Sequence, residues 1–300
     1  MKILISGSTG LIGSSLSTFL INNNHRVARL VRRVPSGDDE IGWNPASGTL
    51  DASALEGIDA VVNLAGESIA ARWTAEKKRR IQESRVQGTR LLAQSMAHLS
   101  NPPKVMVSVS AIGYYGDRGE EQLTETSSLG KGFLPDLCRE WENAATAASG
   151  KRTRVVIPRI GMVLSAKGGA LGLMLPVFQL GIGGRIGSGR QYMSWISIDD
   201  LVSVINYAIT CESLQGPVNA VSPNPVTNQR FAKTLGHVLS RPALFSLPAF
   251  VARLALGQMA DEALLSSARV WPARLTESGY RFAFPELEGA LRHILRKPKA

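Results

Sequence analysis

The feature that most constrains this chain is a glycine-rich turn close to its start. The segment GSTGLIG places glycine at positions 7, 10 and 13, directly after the apolar run Lys2 to Ser6. Apolar residues then recur with helical spacing from Leu11 to Asn22. A strand, this turn and a helix in this order form a phosphate-binding unit. The alternative is a tight strand–helix turn without a ligand.

Each glycine has a distinct physical role in such a unit. Gly7 permits the tight turn, Gly10 lets the backbone approach a pyrophosphate, and Gly13 lets the helix lie close to the sheet. The helix N-terminus adds free N–H groups and a partial positive charge. The sequence therefore predicts a dinucleotide site at the start of the first helix.

Strand-like and helix-like segments alternate over the first 165 residues. After the first strand and helix, the pattern predicts two long helices, Ala75 to Leu99 and Leu134 to Ala148. Between and around them it predicts four strands, Val27 to Val31, Asp59 to Leu64, Val105 to Ser110 and Arg154 to Ile157. This alternation is typical of an α/β fold, a Rossmann doubly wound parallel sheet covered by helices on both faces.

The length and composition indicate a second, smaller unit. A chain of 300 residues with 44% hydrophobic residues is not disordered, and it is long for a single core. Residues 168–189 contain eight glycines, which indicates a segment close to a ligand or to another backbone. We therefore predict a Rossmann domain over residues 1–165, with 191–222 returning to it. Residues 166–190 and 223–300 are predicted to form a smaller lobe on the substrate side.

The end of the second strand favours NADP(H) over NAD(H). NAD-binding proteins usually carry an acidic residue there, which holds the ribose 2′-hydroxyl. This chain has Val31-Arg32-Arg33 and no acid at that point. A guanidinium matches the geometry of the 2′-phosphate of NADP. The alternative is that both arginines are simply solvated.

Charge and cysteine content exclude several other classes. The formal net charge is +10, and the densest basic run, Arg72 to Arg85, fits a solvated helix face better than a nucleic-acid stripe. Two cysteines form no disulfide framework, and the four histidines lack metal spacing. No targeting segment or membrane-spanning stretch is predicted. We expect a cytoplasmic protein without a nucleic-acid, membrane or metal partner.

Several motifs resemble those of the extended short-chain dehydrogenase/reductases. They are Gly7-x-x-Gly10-x-x-Gly13, Asn63-Leu64-Ala65-Gly66, Val107-Ser108-Val109-Ser110 with Tyr115-Gly116, and Trp195 to Asp200. More narrowly, the chain resembles the epimerase family of the 39U type from end to end. The segments that carry this closer resemblance are Ala111 to Gly116, Trp141-Glu142, Gly168 to Ala170, Gly187 to Gln191, Gly216 to Asn219 and a short C-terminal module around Gly279 to Leu287.

The resemblance implies positions for the cofactor. Thr9, Gly10, Leu11 and Ile12 would cradle the pyrophosphate, and Arg32 would meet the phosphate of the adenosine. Leu64, Ala65 and Gly66 would line the adenine side of the site. Glu67 and Arg85 would lie on the flanks of the same cleft. Met162 and Val163 would face the nicotinamide. The resemblance also implies a homodimer built on the two long helices.

The chain departs from the wider class at the catalytic pair. That class uses Tyr-x-x-x-Lys, in which the tyrosine exchanges a proton with the substrate and the lysine lowers the tyrosine pKa. Aligned by Glu142, the two positions hold Leu134 and Cys138. Leucine cannot transfer a proton, and a thiol carries no ammonium charge. The usual pair is therefore absent.

Other residues remain as candidates for catalysis. Ser110, at a strand end, is predicted to donate a hydrogen bond to a substrate oxygen. Tyr114 or Tyr115 would act as acid or base, with packing or substrate contact as the alternative. Cys138 is disfavoured as a nucleophile, and Asp199 and Asp200 resemble helix-capping acids. Arg185 and Arg190 are candidates to hold an anionic substrate group.

Two functions follow from these observations. The first is an NADP(H)-dependent oxidoreductase or epimerase-like enzyme acting on an unidentified small substrate, with nucleotide-linked compounds among the candidates. The second is a non-catalytic NADP-binding protein with a regulatory or scaffold role, which fits the missing pair. Relatives of the family have been linked by name to cell division, which suits a regulatory role, although no residue of this sequence shows that link.

Overall fold

The central feature of the protein is a nine-stranded sheet. The structure is a computed structural model, and it describes residues 1–150 and 152–296. The strands of the described chain are β1 (Lys2–Ser6), β2 (Arg26–Val31), β3 (Glu40–Asn44), β4 (Thr49–Leu50), β5 (Ala60–Asn63), β6 (Val105–Ser108), β7 (Ser110–Ala111), β8 (Gln122–Leu123), β9 (Arg154–Ile160), β10 (Met162–Leu164), β11 (Gly184–Ile186), β12 (Tyr192–Met193), β13 (Trp195–Ser197), β14 (Gly216–Ala220), β15 (Val226–Thr227), β16 (Phe245–Leu247) and β17 (Arg269–Val270).

Helices connect these strands and cover both faces of the sheet. They are α1 (Leu11–Asn22), α2 (Ala75–Ala97), α3 (Phe133–Thr146), α4 (Gly169–Gln179), α5 (Ile198–Thr210), α6 (Asn228–Leu239), α7 (Ala249–Leu256), α8 (Ala273–Glu277) and α9 (Leu287–Ile294). Among the residues with described structure, no helix has both the length and the apolar character needed to cross a membrane.

The strand order confirms the predicted doubly wound sheet. The order is β14-β9-β6-β5-β1-β2-β3-β4, and the ninth strand, β7, pairs with β9. Every pair is parallel except β3 with β4. From β1 the chain moves first to β2 and β3 on one side and then to β5, β6, β9 and β14 on the other. The direction reverses between β1 and β5, which is where open α/β sheets bind their ligands.

Alternation along the strands divides the core between the two faces. Ile3 and Ile5 of β1 pack with α1 and α5, in a cluster that includes Leu16 and Ile205. Leu4 faces the other way and packs in a second cluster with side chains from α2 and α3. Because both faces are buried, the parallel strands are almost entirely apolar, as the sequence indicated.

The predicted smaller lobe is divided between two environments. A third cluster joins α4, α6 and α9 through Leu171, Phe231 and Leu291, so this part has a hydrophobic cluster of its own. Leu275 of α8, by contrast, lies in the main core, and Met259 packs against α2 and α3. The C-terminal segment therefore also covers the Rossmann domain. The homodimer expected on α2 and α3 stays a prediction.

Two regions differ from the local sequence pattern. Strand β3, which lies between β2 and the edge strand β4, was not predicted, because its five-residue segment EIGWN contains only two large apolar side chains, Ile41 and Trp43. The glycine-rich region contains helix α4 and strand β11. Gly184 of β11 pairs with Phe245, and a side chain there would lie 1.5 Å from the Phe245 carbonyl oxygen. This glycine lies against another backbone, which is one of the two alternatives that the sequence left open.

Asp200 connects α5 to the C-terminal segment, and it gives a test of that connection. Its buried carboxylate accepts hydrogen bonds from the Ser197 hydroxyl and from the backbone N–H groups of Ala283 and Phe284, at 2.9, 2.7 and 3.0 Å. We expect Asp200→Ala to lower the free energy of unfolding by about 2–4 kcal/mol, because buried donors lose a charged acceptor. Urea denaturation measures the change.

Asp199→Ala is the matched control for this prediction. Asp199 is the neighbouring acid, its side chain is exposed, and it pairs with His293 at the surface. A surface pair of this kind contributes about 0–1 kcal/mol. Equal destabilisation by the two substitutions would contradict the assignment of Asp200 as the connecting residue.

Candidate cofactor and active site

The glycine turn brings β1, α1 and β5 into close contact. Gly7 has a φ of +68°, which side chains other than glycine rarely adopt. A Cβ atom on Gly7 would lie 2.9 Å from the Leu64 carbonyl carbon, and one on Gly13 would lie 2.2 Å from the Gly7 carbonyl oxygen. The predicted roles of Gly7 and Gly13 therefore have a steric basis in the structure.

The N-terminus of α1 is open to an anion. Gly10 is the N-cap residue, no side chain caps the helix, and the first turn contains no acidic residue. The N–H groups of Leu11, Ile12 and Gly13 therefore have no intrahelical acceptor. Thr9 and Gly10 are exposed beside them. This arrangement fits the pyrophosphate predicted for this turn.

The two arginines after β2 have different surroundings. Arg33 donates to Glu40 at 2.6 Å and also to Val34 and Ser36. The Ser36 backbone N–H and the Arg33 guanidinium lower the pKa of Glu40 to about 2. Arg32 is exposed and, within the described part of the chain, has no hydrogen bond or ion pair. Arg32 is therefore the guanidinium available to a ligand phosphate.

The loop after β5 is held by side chains from α2. Arg85 donates to the carbonyl oxygen of Glu67 at 2.9 Å, and Lys77 contacts the Glu67 carboxylate at 2.7 Å. Arg85 is mostly buried, and its guanidinium lies 5.2 Å from the centroid of the Trp141 ring. Glu67 and Arg85 thus hold the loop in place, while Leu64, Ala65 and Gly66 remain partly or fully exposed for contact with a ligand.

A buried polar network at the carboxyl ends of β1, β5 and β6 holds this loop. The Ser6 hydroxyl donates to Asn63 at 2.6 Å and accepts from the backbone N–H groups of Leu64 and Ala65. The Asn63 amide donates to Thr89 at 2.8 Å and to Ser108 at 3.2 Å. Because all the side-chain groups are paired, the network fixes the carboxyl ends of β1, β5 and β6 relative to one another.

The residues predicted on the nicotinamide side lie close to the turn. Val163 is in β10, which pairs with β13, and it is partly exposed, as is Met162. A Cβ atom on Gly169 would lie 3.1 Å from Cδ2 of Leu11 and 3.8 Å from the carbonyl oxygen of Val163. Val163 and Leu11, which are 152 positions apart in the sequence, therefore border the same region.

Ser110 belongs to a buried charged cluster. Ser110 of β7 is paired in register with Arg159 of β9, which is paired in turn with Asn219 of β14. The Ser110 hydroxyl donates to Glu142 at 2.7 Å, and Arg159 donates to both oxygens of Glu142 at 2.9 and 2.8 Å. The serine proton is thus directed towards Glu142. Ser110 is itself buried, and the hydrogen bond to a substrate oxygen predicted for it stays a prediction.

The two candidate tyrosines occupy different environments. Tyr115 is fully buried, and its hydroxyl donates to Asn219 at 2.6 Å and accepts from Arg159 at 3.0 Å. Burial raises the pKa of Tyr115 to about 12. These contacts favour a structural role for Tyr115 over proton transfer. The Tyr114 ring is partly exposed and covers Arg159, with the guanidinium carbon 3.5 Å from the ring centroid.

The positions of the absent catalytic pair are apolar and closed. Leu134 and Cys138 are both buried on α3. The Cys138 thiol lies 3.7 Å from the carbonyl oxygen of Ala111. Burial, together with the nearby Glu142 carboxylate, raises the pKa of Cys138 to about 11. The thiol is therefore protonated at neutral pH and is poorly suited to act as a nucleophile.

Sequence reasoning did not identify the Glu142–Arg159 pair. Glu142 served to align the helix and as part of the Trp141-Glu142 motif, and Arg159 was not considered. A signal was present, because Arg159 is a charged residue between apolar residues near the end of the strand RVVIPRI. A charged residue in a buried strand requires a partner. The sequence alone could not show that the partner lies on α3.

The surroundings of the two cysteines predict different reactivity. Cys211 is partly exposed, and a hydrogen bond with the Ser213 hydroxyl lowers its pKa. We expect one thiol to react rapidly with Ellman's reagent in the native protein at pH 8, because thiolate is the reactive form. Cys211→Ser should remove this rapid phase, and Cys138→Ser should preserve it. Rapid labelling that depends on Cys138 would show that this thiol is accessible and ionised.

Comparison with known proteins adds to this geometry. Residues 3–220 match the NAD dependent epimerase/dehydratase family, and residues 247–294 match a domain of unknown function, DUF1731. The chain is 41% identical over 297 residues to the epimerase family protein ML0860 of Mycobacterium leprae, covering 99% of this chain and 96% of that protein.

Two solved structures share both fold and sequence with the chain. One is the human epimerase family protein SDR39U1 (isoform 2), crystallised with NADPH, with a TM-score of 0.91, 37% identity and 99% of each chain covered. The other is the nucleoside-diphosphate sugar epimerase of Corynebacterium glutamicum, with a TM-score of 0.82 and 35% identity, covering 98% of this chain and 58% of that one. The family match spans well over half of the described sequence, and this chain belongs to the NAD dependent epimerase/dehydratase family.

Proposed function

We propose that this protein is an NADP(H)-dependent oxidoreductase that acts on a small alcohol or carbonyl compound. The observation that carries the proposal is the exposed Arg32, which makes no hydrogen bond or ion pair among the described residues, together with an uncapped helix N-terminus. The two features supply separate positive charges for two phosphate groups. The human relative crystallised with NADPH supports the same choice of cofactor.

The residues that would hold NADP(H) follow from the site. The turn from Gly7 to Gly13 would hold the pyrophosphate, Arg32 the 2′-phosphate, and Leu64 to Gly66 the adenine. Met162 and Val163 would contact the nicotinamide. The cofactor supplies hydride transfer when it is bound. The protein contributes binding, orientation and the groups around the reacting carbon.

Ser110 is the proposed contact for the substrate oxygen. Its proton is directed to Glu142, so the serine oxygen accepts a hydrogen bond from a substrate hydroxyl. Arg159 holds the Glu142 carboxylate through two bonds. Burial alone would lower the pKa of Arg159, but its pairing with Glu142 raises that pKa overall. Tyr114, partly exposed over the same guanidinium, is the proposed group for proton exchange.

A second function is favoured by one specific observation. The positions of the usual tyrosine and lysine hold buried Leu134 and Cys138, and the neighbouring Tyr115 hydroxyl is already paired inside the protein. A site without these groups has lost its usual means of moving a proton. The alternative proposal is therefore an NADP-binding protein that regulates or organises a partner without catalysis.

Nucleotide selectivity tests the role of Arg32. We expect Arg32→Ala to weaken NADPH binding by about 10- to 100-fold, because one charge-assisted contact to phosphate is lost. Affinity for NADH should change little, since NADH lacks that phosphate. Isothermal titration calorimetry with both nucleotides measures the difference.

Arg33→Ala is the matched control, because Arg33 is the adjacent guanidinium and is already bonded to Glu40. It should leave NADPH affinity within about twofold of the original, since its contacts are on the surface. Equal binding of NADH and NADPH by the unchanged protein would refute the proposed cofactor preference.

Turnover separates the two proposed functions. The unchanged protein, incubated with NADPH and a panel of carbonyl compounds and nucleotide sugars, should oxidise NADPH with at least one of them. Tyr114→Phe should then reduce kcat/KM by about 100-fold or more, because the hydroxyl that protonates the carbonyl oxygen is lost, without changing NADPH affinity. Absorbance at the NADPH band follows the reaction. Absence of turnover across the panel, with NADPH binding intact, would favour the non-catalytic alternative.

A further inference from the structure

Large exposed apolar side chains are concentrated on α4, β16 and α7. We define the apolar rim as Leu173, Val177 and Leu180 of the α4 region, Phe245 of β16, and Phe250 and Leu254 of α7. Their exposed fractions are large, with 71% for Leu173, 75% for Leu180, 69% for Phe250 and 76% for Leu254. Clusters of large exposed apolar side chains are uncommon on monomeric proteins and mark binding surfaces.

One side of the rim begins at the cofactor turn. Leu173, Val177 and Leu180 recur with helical spacing, on the face opposite the buried Leu171, Leu175 and Phe178. The N-terminus of α4 lies beside Leu11 and Val163. This exposed face therefore extends outwards from the region proposed for the nicotinamide.

The other side of the rim is tied to the adenine side and to the Ser110 turn. Arg72, which follows the loop after β5, donates to the carbonyl oxygen of Leu254 at 2.6 Å. A cavity of about 270 Å³ is lined by Gly113 and Gly116, from the turn after Ser110, and by Arg253 of α7. Helix α7 is thus continuous with the proposed active site.

The elements of the rim carry few charges, and the two arginines that border them, Arg72 and Arg241, donate to the carbonyl oxygens of Leu254 and Gln179. Helix α4 and strand β16 contain no charged residue, and the single charge of α7, Arg253, is paired with Asp261 at 2.8 Å. Arg185 of β11 is in register with Ser246, and successive side chains of a strand point to opposite faces. Arg185 therefore lies on the face opposite Phe245.

We propose that the apolar rim binds a hydrocarbon portion of the substrate, so that the substrate is an apolar alcohol or ketone rather than a nucleotide-linked sugar. The proposal rests on the proposed function for the position of the reacting carbon. The occupant is a substrate because one side of the rim begins beside Leu11 and Val163, and the other side lies beside the turn that follows Ser110. A surface that binds a second copy of the chain would not need to adjoin the proposed active site.

A homologous series of 2-alkanones with 4 to 12 carbons tests the proposal. Each ketone is titrated into the full chain with NADPH present, and binding is followed by calorimetry. The dissociation constant should fall about three- to fourfold for each added methylene, the factor expected for complete burial of that group. UDP and UDP-glucose should produce no binding heat. A dissociation constant independent of chain length, or binding of UDP-glucose in preference to the ketones, would overturn the proposal.

Rim variants locate the binding to these residues. Leu173→Asn and Phe250→Ser change exposed side chains, and each should weaken binding of 2-decanone at least about tenfold while preserving NADPH affinity. Ile21→Ser is the matched control, because Ile21 is 51% exposed at the far end of α1. Unchanged 2-decanone binding in both rim variants would contradict the proposal.

Two further results separate this inference from the others. Sedimentation velocity should give the same species for the original chain and both rim variants. A dimer that Phe250→Ser dissociates would overturn the proposal in favour of a second copy as the occupant. If the protein did not bind NADPH but its affinity for the ketones still depended on the rim residues, the proposed cofactor would be refuted and the apolar site would be supported.

Discussion

The close approach of three backbone segments at the switch point of the sheet is the constraint on which the site depends. The turn at Gly7 lies against Leu64, and α1 lies against the same turn at Gly13, at distances that leave no space for a side chain. The Ser6 hydroxyl bonds to the backbone of the loop after β5 and so fixes the distance between the two loops. A dinucleotide site needs both loops at fixed positions, because each binds a different part of the ligand.

The chemistry at the neighbouring strand ends depends on a second constraint, a charged pair inside the core. Glu142 and Arg159 are each almost completely buried, and each satisfies the other through two hydrogen bonds. Their remaining bonds reach Ser110 and Tyr115, so the pair sets the orientation of both hydroxyl groups. Removing one partner alone would leave an unpaired buried charge, at a cost of about 3–5 kcal/mol. The cluster therefore joins the stability of the sheet to the geometry of the site.

The two halves of the proposed ligand site differ in character. The cofactor half supplies a helix N-terminus and the exposed Arg32, which suit phosphate groups. The substrate half, formed by α4, β16 and α7, is apolar and exposed. This contrast is physically consistent, because a charged cofactor and an apolar substrate require different surroundings. It also separates the proposed substrate from the nucleoside-diphosphate sugar named for the relative from Corynebacterium glutamicum.

The sequence by itself determined the α/β class, the positions of β1 and α1, and the glycine turn, because these depend on local periodicity and on residues within one short segment. It also indicated Arg32, since the absence of an acid after β2 is visible in the sequence. Only the tertiary structure decided that Arg33 is occupied by Glu40, that the proton of Ser110 is directed to Glu142, and that Tyr115 is enclosed. Each of these depends on which distant residues meet in space, and in the last two cases the partners lie 32 and 104 positions apart. Local periodicity carries no information about such contacts.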